Sequence, residues 1–136
     1  MKRLLLLIAI AIMVTSISYA QEYKVVFDMT SQDSVNQQSL VRQITYIRES
    51  SPASKLEVVV YGQGINFVTN NGSPQQSAIS KLLSDNNISF KVCAATMKRY
   101  NIDKSQLIPG VETVPDGIYE IITKQQQGWG YIKVAH

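Results

Sequence analysis

The chain has 136 residues, with 13 Lys and Arg against 10 Asp and Glu and a hydrophobic content of 45%. Those figures suit one globular domain and exclude both two independent domains and a disordered chain. One Cys cannot build a disulfide framework, and one His, the terminal His136, excludes a His-based triad and a Cys/His zinc site, so no metal or other cofactor is expected.

Residues 1–20 read as a cleaved signal peptide. Lys2 and Arg3 precede an uncharged apolar run from Leu4 to Val14, and Ser18 and Ala20 are the small residues of a cleavage site before Gln21. The run is shorter than the roughly 20 residues that span a bilayer. No Cys follows the site, so no lipid anchor is expected. The expected location is exported, periplasmic or secreted. The remaining domain, residues 21–136, holds 11 basic and 10 acidic residues for a net charge of +1. Its only adjacent basic pair is Lys98-Arg99. Nucleic-acid binding therefore has no support, and no membrane association is expected after cleavage.

Tyr23 to Asp28 is β-branched and aromatic and reads as a first strand. Ser34 and Gln37 match a capping box, and Leu40, Val41, Ile44 and Ile47 follow at helical spacing. The helix predicted from Val35 to Ser50 stops at Ser51-Pro52. Leu56 to Tyr61 is an almost continuous apolar strand, as expected of one covered on both faces. Gly62-Gln63-Gly64 ends it.

Asn70-Asn71-Gly72 is a turn. Ser73, Pro74 and Gln76 predict a second capped helix with Ile79, Leu82 and Leu83 inward. Ile88 to Cys93 is the third strand, and a short helix from Ala94 to Tyr100 follows it directly. Asp103 and Gln106 predict one more capped turn. Val111 to Val114 is a fourth strand. Pro115-Asp116 opens a helix with Ile118, Ile121 and Ile122 inward and Gly128 as its stop. Tyr131 to Val134 is the fifth strand. This alternation predicts an α/β fold, three layers deep, with a mainly parallel five-stranded sheet.

In such sheets ligands bind beyond the carboxyl ends of the strands. Four loops qualify: Asp28-Met29-Thr30, Gly62-Gln63-Gly64, Cys93-Ala94-Ala95-Thr96 and Pro115-Asp116-Gly117. Cys93 stands where a strand becomes a helix, where free amides lower a thiol pKa, and Lys98 and Arg99 follow within two turns. Ala94 and Ala95 leave space around the sulfur. Simple burial in the core is the competing role for a lone Cys.

Gly62 and Gly64 allow close approach of a ligand or merely end the strand; with Phe67 at the third glycine position, they are no dinucleotide fingerprint. Asp28 orients a ligand, acts as a base, or bonds loop amides. Thr96 donates to a bound anion or caps its helix, and Asp116 reads as a helix cap. Trp129, between Gly128 and Gly130, is a binding platform or a packing residue.

The segment Ser89-Phe90-Lys91-Val92-Cys93-Ala94-Ala95-Thr96-Met97-Lys98-Arg99 resembles the strand-Cys-Ala-Ala-x-x-basic-Arg segment of sulfur-accepting subunits in the DsrE/DsrF-like family. Gly62-Gln63-Gly64-Ile65 resembles its glycine turn. Val114 to Gly117 and Gln127 to Ile132 resemble the closing segments of exported members. Arg99-Tyr100-Asn101 departs from the Arg-Arg-Gly usual in the relay subunits.

The resemblance implies a three-layer α/β/α fold and a persulfide on Cys93. It implies sulfur donor and acceptor proteins, or small sulfur species, as partners, and a homo-oligomer, trimer or hexamer. Thr96, Lys98 and Arg99 would then stabilise the anionic sulfur, with Gly62 and Gly64 leaving room for the donor. At most the protein is a sulfurtransferase-like carrier. The alternative is an oligomeric binding or assembly module of the same fold, with Cys93 buried and inert.

Overall fold

The computed structural model describes residues 22–134. The signal-peptide reading of residues 1–20 lies outside them. Five strands form one sheet: β1 (Lys24–Met29), β2 (Lys55–Val60), β3 (Ile88–Cys93), β4 (Glu112–Val114) and β5 (Gly130–Lys133). Their spatial order is β4-β3-β2-β1-β5, and every pairing is parallel. Four α-helices connect them: α1 (Ser34–Ser50), α2 (Gln76–Leu82), α3 (Ala94–Arg99) and α4 (Gly117–Gln126). Two short 3-10 segments, Gly62–Val68 and Lys104–Gln106, complete the chain path.

The strand order decides how the layers fill. From β1 to β4 the chain steps across the sheet in one direction, and right-handed crossovers put the intervening segments on one face. Between β4 and β5 it reverses, so α4 alone crosses the opposite face. The two cores differ accordingly. The larger one gathers Phe27, Val58, Phe90, Leu40, Ile44, Phe67, Ile79 and Ile108, all almost fully buried. The smaller one is Val26, Val59 and Ile121, flanked by Tyr61 and Trp129.

Several local expectations change. The cap of α1 is Asp33, whose Oδ1 accepts from the Val35 amide at 2.7 Å, one residue before the expected Ser34. Gln37 turns inward instead of closing a box; its Nε2 donates to the Ser31 carbonyl at 3.1 Å. Helix α2 starts at Gln76 rather than after Ser73, because the Gln76 side chain is drawn back to Asn70 and the Asn71 amide.

The 3-10 segment after Gly62 was read only as a turn; it puts Phe67 and Val68 into the large core. In α4 only Ile121 faces inward. Ile118 and Ile122 are 56% and 43% exposed. The last strand is an exposed edge. No described helix is long and apolar enough to cross a membrane.

Candidate functional site

Parallel pairing brings the ends of β1, β2, β3 and β4 to one edge of the sheet. The four loops named from the sequence therefore share that edge. Within it, an open cleft of about 210 Å³ is lined by Tyr61, Gly62, Cys93, Ala95, Thr96, Arg99, Asp116, Gly117 and Ile118. A larger cleft of about 500 Å³ lies between α1 and α2, but its lining has no Cys and it stands away from the strand-end loops.

Cys93 is the last residue of β3, and its side chain is on the α4 side of the sheet with Lys91 and Ser89. It is 5% exposed. Burial alone pushes its thiol up. The Thr96 and Gly117 amides, the Thr96 hydroxyl and the Ala95 amide all stabilise the thiolate and outweigh that, so the pKa falls below the ordinary 9.0. Two of those amides belong to the first turn of α3, where backbone N–H groups have no helical partner. The helix is only six residues long, so individual N–H groups act here rather than an extended dipole.

The third amide comes from another element. Asp116 caps α4, its Oδ1 accepting from the Ile118 and Tyr119 amides at 2.8 and 3.1 Å, and this leaves the Gly117 amide for the sulfur. Gly117 must lack a side chain: a Cβ there would lie 3.2 Å from Val59 Cγ1, 3.3 Å from Tyr61 Cδ1 and 3.4 Å from Cys93 Cβ.

Thr96 is buried and joins two loops. Its Oγ1 accepts from the Gly62 amide at 3.1 Å, which leaves the hydroxyl proton for the sulfur. Gly62 has φ +60°, a conformation that favours glycine, and it lines the cleft. Gly64 opens no room for a ligand. A Cβ there would lie 2.9 Å from the Met29 carbonyl oxygen, so its bareness serves packing against the end of β1. Arg99 lines the cleft, whereas Lys98 is exposed on α3 outside it.

Asp28 does not reach the sulfur. It lies buried between β1 and β5, where its Oδ2 accepts from Tyr131 Oη at 2.7 Å and its Oδ1 from Lys133 Nζ at 3.1 Å. The Tyr131 phenol is pushed up to about 12, by its bond to the Asp28 carboxylate and then by burial. Tyr61 links the two regions. Its ring lines the Cys93 cleft, Lys133 Nζ stands 5.8 Å from its centroid, and its phenol is raised by burial first and by Asp28 second.

The sequence reading did not single out Tyr61, Tyr131 or Lys133. The available signal was the two-residue spacing of Tyr131 and Lys133, which puts both on one face of β5. Trp129 packs beside Val26, Val59 and Ile121, with Lys124 Nζ 4.6 Å from its ring. Among the described residues no three His, Cys, Asp or Glu side chains form a metal-holding group.

The profile of the DsrE/DsrF-like family matches residues 9–134. Among solved structures the chain is similar to a protein of unknown function from Methanobacterium thermoautotrophicum. The identity is 27% and the TM-score 0.77, over 82% of this chain and 99% of that one. It shares its fold with the ychN protein from E. coli, at 16% identity and a TM-score of 0.70 over 83% and 99% of the two chains. A conserved protein of unknown function from Bacteroides thetaiotaomicron has the fold too, at 15% identity and a TM-score of 0.67 over 82% and 94%. No curated protein matches the chain.

Proposed function

This chain belongs to the DsrE/DsrF-like family, and we propose on that premise that it is an exported sulfur carrier working through Cys93. The observation that supports the reading is the convergence of the Ala95, Thr96 and Gly117 amides and the Thr96 hydroxyl on one sulfur beside an open cleft. Such donors favour thiolate over thiol, and the thiolate is the nucleophile.

The Cys93 thiolate attacks the outer sulfur of a persulfide or polysulfide. One S–S bond forms on Cys93 and the donor's S–S bond breaks. The bonding pair leaves with the donor thiolate, so the transfer needs no outside oxidant or reductant. The persulfide anion then meets the same amides, with the Arg99 guanidinium at the rim of the cleft. The chain has no other Cys to resolve the adduct, so the sulfur leaves to a thiol of a second molecule. Export to an oxidising compartment completes the proposal, with the leader Met1 to Ala20 as its basis.

The low exposure of Cys93 favours a second reading, an assembly module in which the thiol is inert. Thiol labelling separates the two. Alkylation of the folded protein near neutral pH supports the carrier; labelling only after denaturation supports the module. Sulfur loading that persists in Cys93→Ser would remove Cys93 from the reaction.

A further inference from the structure

Helix α4 has its polarity reversed. Its two charged residues, Glu120 and Lys124, turn toward the sheet, where Lys124 Nζ stands 2.9 Å from Glu57 Oε2 and 3.7 Å from Glu120 Oε1. Glu57 is 2% exposed, so a buried carboxylate on β2 fixes which face of the helix must carry the cation. The outward positions are left with Ile118, Tyr119, Ile122, Thr123, Gln125 and Gln126, none of them charged. Tyr119 is 72% exposed. A monomeric surface helix normally shows charge to water and hides its isoleucines.

From this we propose that the outward face of α4 is a self-association surface, packed against the same face of a second copy across a two-fold axis. Absence of charge selects this occupant. A face without charge meets its own copy with no like-charge contact, and a two-fold interface requires such self-complementarity. Partners of different sequence are discriminated mainly through complementary charge, which this face lacks. A lipid surface calls for a Lys/Arg-rich helix, and Lys124 is bound inward.

The size also fits. Ile118, Tyr119 and Ile122 together expose on the order of 350 Å², within the range at which apolar patches mark interaction sites. That is somewhat under half of the roughly 800 Å² per partner of a standard interface. The uncharged turn of Thr123, Gln125 and Gln126 extends it.

Ile118 belongs to this face and also lines the Cys93 cleft. A second copy seated on α4 therefore stands at the rim of the cleft. This association does not depend on sulfur chemistry, and native mass tests it separately from persulfide loading. The test is light scattering with size exclusion on the mature protein beside Tyr119→Glu/Ile122→Glu, two exposed positions outside the cleft lining. The native mass should be an even multiple of the chain mass, and the double variant should halve it with an unchanged circular dichroism spectrum. A monomeric or odd-numbered native protein, or a folded variant of unchanged mass, overturns the proposal. Should the double variant lose its fold, Tyr119→Gln/Ile122→Gln takes its place with the same two outcomes.

Discussion

The amide of Gly117 donates to the sulfur of Cys93, and the space between the two residues admits no side chain. One donor therefore reaches the sulfur from α4, while the others come from the turn that follows Cys93. The thiolate site is closed only when α4 is seated on the sheet. Gly117→Ala puts a methyl group against Val59, Tyr61 and Cys93, and overpacking of this kind costs about 1–3 kcal/mol. The variant should melt at a lower temperature, and its thiol pKa should rise as the amide moves off the sulfur. Denaturant unfolding and the pH dependence of Cys93 alkylation measure the two effects.

Thr96→Val keeps the shape of the side chain and removes its hydroxyl. The Gly62 amide then loses its acceptor and the sulfur loses a donor. The thiol pKa should move up toward the ordinary 9.0, and alkylation at pH 7 should slow. The sign of the linked stability follows. A thiol whose folded pKa is depressed stabilises the fold above its unfolded value, and that contribution is lost as pH falls through the folded value. Cys93→Ser should erase this part of the pH dependence.

Lys124→Met leaves the Glu57 carboxylate buried without its cation. Breaking a buried pair from one side costs about 3 kcal/mol or more. The loss should be largest near pH 7. Burial already raises the Glu57 pKa against the opposing pull of Lys124, and without the cation it rises further. An acid with a raised folded pKa is destabilising above that pKa and relieved below it. The gap between variant and wild type should therefore narrow as pH falls toward the ordinary 4.5. Urea unfolding at a series of pH values gives the comparison.

Asp28→Asn should release the Tyr131 phenol from about 12 back toward 10, read by phenolate absorbance. In the wild type this raised phenol contributes stability that is complete below pH 10 and fades as pH rises through about 12. Persulfide loading should be unaffected, because Asp28 lies outside the lining of the Cys93 cleft.

The strands were legible because each is a short β-branched or aromatic run, and the alternation with helices gave the parallel sheet. Caps were legible where one candidate stood alone. Asp116 caps α4 as expected, and Asp103 with Gln106 forms the expected capping box. At α1, Ser31, Asp33 and Ser34 are all competent, and spacing to Gln37 favoured the wrong one.

The orientation of α4 was not legible. Ile118, Ile121 and Ile122 satisfy a helical stripe, but Glu57 lies sixty residues earlier and only the folded sheet brings it under Lys124. The position of Cys93 at a strand end was readable from its neighbours. Its donor from α4 was not, since the Gly117 contact depends on β3 and β4 lying side by side.

The central claim is that Cys93 holds a transferable sulfur, and intact mass spectrometry of the mature protein after brief exposure to polysulfide tests it most directly. The account predicts a gain of one sulfur that a thiol reductant reverses and that Cys93→Ser lacks. Reversal matters because two oxygens weigh almost the same as one sulfur, and a sulfinic acid would not revert. A correctly folded protein that takes up no reversible sulfur, or a Cys93→Ser variant that still does, would contradict the account.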